Sequence, residues 1–185
     1  MKSENIWKFI KTYFKGRYLE RLVRHQLESY NNFINVQLQK TIEMFNPVTI
    51  HSEHDRDEET NLYRLEIIIT FDNFQIYRPQ IHENNGATKI MYPQEARLRN
   101  FTYASAMTLD LNIKFINRYG DKLQSKEILY KKIPRIHIGK LPIMLKSCIC
   151  VLKQNSHLEH RITGECKHDP GGYFIINGSE KTVIG

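Results

Sequence analysis

The chain has 185 residues, a formal net charge of +7, 41% apolar and 25% charged residues. That length suits one domain, or one with a small satellite, and allows burial of about 70% of the unfolded surface. No window approaches about 18 consecutive apolar residues, so no helix is expected to span a membrane.

The composition is that of a soluble, folded chain. The first residues carry Lys2 and Glu4 with no apolar signal core, so secretion is not expected. Three cysteines, an odd number, suit reduced thiols in the cytosol or nucleus. The basic excess, with a pI near 9.3, raises the local concentration of polyanions. Nucleic acid is the commonest such partner, although charge alone reads equally well as a solvated surface. Basic residues recur along the whole chain, and no charged tail stands apart.

In ENIWKFIKTYFKG, Ile6, Trp7, Ile10, Tyr13 and Phe14 fall at helical spacing, with Gly16 as the stop. A longer stripe follows through Leu19, Val23, Leu27, Tyr30, Ile34, Leu38, Ile42 and Phe45, ending at Asn46-Pro47. Steps of three and four predict one long helix whose stripe packs into a core. From 48 to 61 the composition turns polar, with the run HSEHDRDEETN, and reads as a surface loop or hairpin tip. Its His51, His54 and Asp55 have metal-ligand spacing, but no apolar periodicity supports a helix to carry them.

Strands come next. Tyr63, Leu65, Ile67, Ile69 and Phe71 alternate with Arg64, Glu66, Ile68 and Thr70, predicting one core face, with a turn at Asp72-Asn73. Pro93 opens a single helical turn, since proline at the first helical position loses nothing. Met107, Leu109, Leu111, Ile113 and Phe115 predict a long strand closed by a turn at 117–121, with EILYKKI as its partner. RIHIGKLPIMLKSCICVL holds two apolar runs split by Gly139 and Pro142, and 153–164 is polar. YFII, Asn177-Gly178 and SEKTVI make the strongest short-range hairpin signal in the chain. The predicted class is α+β: two amino-terminal helices followed by a mixed, mainly antiparallel sheet.

Few residues offer chemistry. Cys148, Cys150, Cys166 and His168 are potential soft ligands, but one intervening residue per pair is too close for the usual zinc spacing, which favours buried structural cysteine. No nucleophile elbow or phosphate loop appears. Asp169-Pro170-Gly171-Gly172 reads as a turn whose glycines let a backbone approach closely. Arg97 and Arg99, two apart on a segment read as extended, would point the same way and clamp a phosphate or carboxylate. An ion pair with Glu95 or another acid at the core edge explains them as well. No group of residues offers a set of catalytic roles.

Four peptide blocks carry more. LVRHQLESYNNFI at 22–34, YPQEARLRNFTYAS at 92–105, IGKLPIMLKSCIC at 138–150 and GECKHDPGGYFIINGSEKTVI at 164–184 resemble, in order and spacing, amino-terminal blocks of one family. It is the second-largest, beta-type subunit of multi-subunit DNA-directed RNA polymerases, in its eukaryotic, archaeal or large-DNA-virus form. The resemblance implies that 1–185 is the amino-terminal part of the protrusion domain, ending before the lobe, on one wall of the active cleft. It implies as partners the largest subunit, the remainder of the second-largest subunit, template DNA and the RNA–DNA hybrid, with no membrane. It implies no cofactor in this chain, magnesium being held by the largest subunit. Lys181 would lie near a backbone phosphate of the hybrid, Arg97 and Arg99 would knit strands to the cleft wall, and Tyr173 and Phe174 would pack. Location would be the nucleus, or a cytoplasmic viral factory or virion. A free-standing nucleic-acid-binding or factor-docking module with the same fold is the alternative; an independent hydrolase has almost no residues behind it.

Overall fold

The computed structural model describes residues 3–13, 21–51, 54, 56–58, 60–120 and 123–184. It divides into two compact units, one of 1–34, 78–105 and 141–185, the other of 35–77 and 106–140. The expected α+β class is found, with helices and mainly antiparallel sheets.

In the first unit, α1 (Ser3–Tyr13) forms where the first helix is expected. The stop at Gly16 and the stripe residue Leu19 lie outside the described residues. Trp7 and Phe9 are 70% and 72% exposed, so the apolar side of α1 is not buried in this chain. Helix α2 (Arg24–Asn32) buries Leu27 and Tyr30 against Met144, with Val23, Ile34 and Phe174 around them. The long helix is not uniform. A π-helical turn, Phe33–Gln37, separates α2 from α3 (Leu38–Met44), and from Asn35 onward this helical run belongs to the second unit. The stripe holds from Val23 to Ile42, but Phe45 is exposed.

The rest of this unit is β3 (Gln80–His82), β4 (Thr88–Ile90), α4 (Pro93–Leu98), α5 (Val151–Gln154), α6 (His160–Thr163) and the hairpin β7 (Phe174–Ile176) and β8 (Ser179–Lys181). Ala96, Tyr103, Ile143, Leu145, Cys150 and Ile175 form its core. Four backbone bonds lace together segments distant in sequence. Tyr103 N donates to Ile175 O, Ile143 N to Tyr103 O and Leu145 N to Tyr173 O, each at 2.9 Å, and Gly178 N donates to Phe101 O at 3.0 Å. The three later blocks therefore close on one core. Leu145 O also accepts from Gly172 N at 3.0 Å.

The second unit holds a four-stranded sheet in the order β1 (Val48–His51), β2 (Leu65–Ile76), β5 (Ala104–Tyr119), β6 (Ser125–Pro142). The ends of β5 and β6, Ala104–Ser105 and Leu141–Pro142, belong to the first unit. Three readings are corrected here. Residues 48–51 are not loop; they pair antiparallel with β2, Val48 opposite Ile69. Asp72-Asn73 is not a turn, because β2 continues through it with a bulge between Asp72 and Gln75. Gly139 does not split the next strand, and β6 runs through it to Pro142.

The cause of the bulge is nonlocal. Asn73 has φ 50° and donates to Asp110 Oδ2 at 3.3 Å, and the Arg135 amide, at φ 52°, donates to Asp110 Oδ1 at 2.9 Å. Asp110 is buried and thus fastens irregular residues of β2 and β6. The Arg135 N–H, helped by Asn73 and Lys132, holds its carboxyl below the usual range. Strict alternation fails too: Ile67 to Phe71 are all half-buried, so β2 has no single core face.

Candidate nucleic-acid interface

Tyr92 is extended, Pro93 starts α4, and Ala96 is fully buried, which seats the helix on the core. Arg97 lies in its last turn and Arg99 caps it. The expected extended segment is absent. Two residues apart on a helix are rotated by roughly 200°, so the guanidiniums diverge and serve separate carboxylates.

Arg97 is saturated. Its Nε donates to Glu180 Oε1 at 2.8 Å, Nη1 to Glu165 Oε1 at 2.8 Å and Gln94 Oε1 at 3.1 Å, and Nη2 to the Tyr173 hydroxyl at 2.7 Å. That hydroxyl donates to Asp169 Oδ2 at 2.5 Å. Burial alone would lower the Arg97 pKa, but the Glu165 carboxylate more than offsets this and raises it. Burial, then the Asp169 bond, raises that of Tyr173. Tyr173, expected only to pack, is a polar link; Phe174 does pack, edge-on to Tyr30 at 5.6 Å.

Arg99 grips Glu83 with two nitrogens, Nη1 at 2.7 Å and Nη2 at 3.1 Å, and reaches Glu95 at 3.1 Å. Lys89 joins the same acids at 3.2 and 2.7 Å. The Arg99 hydrogen bond and then that of Lys89 hold the Glu83 carboxyl down at about 2. The anticipated Glu95 pair is present, with Glu83 the stronger partner.

Lys181 sits differently. Asn177 at φ 49° and Gly178 at φ 78° make the two-residue turn that matches strand twist, and Lys181 stands opposite Phe174. The Thr102 hydroxyl donates to Asn177 Oδ1 and accepts from Asn177 N, both at 3.1 Å, fixing the tip. A Cβ on Gly178 would lie 2.6 Å from Asn100 Oδ1 and 2.9 Å from Asn100 Cα, so only glycine fits. Lys181 is exposed and forms no ion pair among the described residues. Of the three candidate contact residues, it alone keeps its charge uncommitted.

The glycine pair behaves as a turn with close approach. A Cβ on Gly171, at φ 75°, would lie 2.7 Å from Leu145 O. Asp169 Oδ1 accepts from Gly171 N at 2.8 Å, and Lys146 Nζ donates to Asp169 O. Cys150 is core, 3.5 Å from the Tyr103 hydroxyl, whose pKa burial raises. Cys148 is half-buried and Cys166 exposed, so the expected burial of the cysteines holds for Cys150 and is corrected for Cys166. His51 lies on β1, stacked on Tyr63 at 3.9 Å, and Asp55 of the supposed metal set lies outside the described residues. Among the described residues no three His, Cys, Asp or Glu are grouped to hold a metal. The sequence does not single out Glu83, Glu165 or Asp169 as partners. Nothing in their local sequence marks them, since Glu165 lies 68 residues from Arg97.

The family described as RNA polymerase beta subunit matches residues 21–185. DNA-directed RNA polymerase II subunit 2 of Arabidopsis thaliana is 35% identical over 98% of this chain and 15% of its own length. The archaeal DNA-directed RNA polymerase subunit Rpo2N of Methanothermobacter thermautotrophicus is 36% identical over 88% of the chain and 27% of its own. An RPB2 homologue of Invertebrate iridescent virus 6 is 31% identical over 99% of the chain and 15% of its own. The chain belongs to the RNA polymerase beta-subunit family and corresponds to the amino-terminal region of the second-largest subunit. It spans between about a seventh and about a quarter of the length of these relatives.

Proposed function

We propose that the chain works within a DNA-directed RNA polymerase, as part of the protrusion on one wall of the active cleft. The observation that carries the reading is the 35% identity over 98% of the chain to a polymerase II second subunit. The geometry supports a division of labour. Arg97 and Arg99 spend their charge on carboxylates and hold the wall together. Lys181, on a hairpin pinned to that wall, offers a point charge to a phosphate of the template or hybrid without reading sequence.

The reaction served is nucleotidyl transfer, with magnesium expected from the largest subunit. No chemical step is assigned to the residues of this chain. The working location is the nucleus or a viral factory or virion.

Affinity purification of the chain should recover a largest subunit together with the remaining second-subunit domains. Lys181→Ala should shorten the lifetime of salt-challenged elongation complexes and leave assembly unchanged. Equal loss of both would remove the hybrid-contact role. Recovery of the chain by itself, binding DNA with a steep salt slope, would favour the free-standing module.

A further inference from the structure

The first unit contains a cavity of about 470 Å³, within the range of small-molecule sites, between the turn at 145–147, helices α5 and α6, and the 165–170 segment. Three lysines, Lys146, Lys153 and Lys167, line it together with His160. The two carboxylates on its wall are already engaged. Glu165 pairs with Arg97 at 2.8 Å, and Asp169 accepts from Gly171 N and the Tyr173 hydroxyl, with Arg97 4.0 Å away. None of the three lysines forms an ion pair among the described residues.

Lys146 is the telling one. It is half-buried, held at φ 62°, an uncommon conformation for a residue with a Cβ, and its ammonium donates to the Asp169 carbonyl. A carbonyl satisfies one donor and leaves the charge unmatched, which is costly for a partly desolvated cation. Leu27, Leu152 and Leu158 supply an apolar side to the same cavity.

We propose that this cavity binds a phosphomonoester carrying a compact apolar or planar group, of about nucleoside-monophosphate size. Lys146, Lys153 and Lys167 hold the phosphate, and the leucines cover the remainder. Every lining residue named here is supplied by this chain, and the proposal stands apart from the polymerase reading.

The test titrates the 185-residue chain with AMP, adenosine and inorganic phosphate at low ionic strength, by calorimetry. AMP should bind saturably, phosphate more weakly, and adenosine not measurably. Lys153→Glu with Lys167→Glu, both exposed positions whose change should spare the fold, should weaken AMP by roughly tenfold or more, and Lys146→Met should weaken it too. In parallel, periodate-oxidised AMP trapped on lysine with borohydride, on the chain alone or in its assembly, should map to Lys146, Lys153 or Lys167 and be blocked by excess AMP. Equal affinity for adenosine, indifference to the lysine variants, or even labelling over all surface lysines would overturn the proposal.

Discussion

Replacing Arg97 with methionine keeps an unbranched apolar stem and removes the guanidinium. Arg97 and Glu165 side chains are 18% and 6% exposed, so Glu165 would be left as a nearly buried charge without its partner. Breaking such a pair from one side costs about 3–5 kcal/mol, most of it the penalty of the orphaned charge rather than the worth of the pair. Against a typical total stability of about 5–15 kcal/mol this is a large fraction. With a urea m-value of about 2 kcal/mol/M, the midpoint should fall by roughly 1.5–2.5 M. The double variant Arg97→Met with Glu165→Gln removes both charges and should recover a substantial part of the loss. The two changes should therefore couple rather than add. Equilibrium urea denaturation of the four proteins, followed by circular dichroism with a common m-value, measures this. An Arg97→Met cost below about 1 kcal/mol, or strict additivity in the double variant, would mean that water reaches Glu165 and that the pair does not knit the core.

Gly178→Ala should destabilise by about 2–4 kcal/mol, combining left-handed strain with displacement of Asn100. Gly139→Ala, where an added Cβ meets nothing within 4 Å, should be neutral or slightly stabilising, and thermal melts compare the two directly. Glu83 should contribute acid stability. Its folded pKa, about 2, lies below the ordinary 4.5, so the contribution is complete above pH 4.5 and is lost as pH falls towards 2. Glu83→Gln should flatten the stability slope in that window, and an unchanged slope in urea titrations at stepped pH would show that the Arg99 grip does not persist in solution. Asp110→Ala should loosen β2 and β6 together, read as faster amide exchange on both sides of Asn73 and Arg135; loss confined to one strand would contradict its fastening role.

Much of the local architecture is legible in the sequence. The Val23-to-Ile42 stripe, proline at the start of α4 and the Asn-Gly turn are each set by backbone and side-chain preferences over a few neighbouring residues. Those preferences act the same way wherever the segment lies. The buried role expected of Cys150 was readable for a similar reason, since it sits within an apolar run.

The misread features all answer to distant partners. The Asp72-Asn73 pair has turn composition, yet Asp110, 37 residues from Asn73, holds it as a bulge within a strand. Residues 48–51 open the stretch read as loop, yet the edge of β2 recruits them. The sequence marks Arg97 and Arg99 as a pair, but their separate destinations depend on a six-residue helix and on acids up to 83 residues away. Short-range steric and hydrogen-bonding rules thus determine which elements form. Which charge meets which is decided only when the core closes, because a carboxylate's partner is selected by proximity in the folded state, and sequence separation carries no record of it.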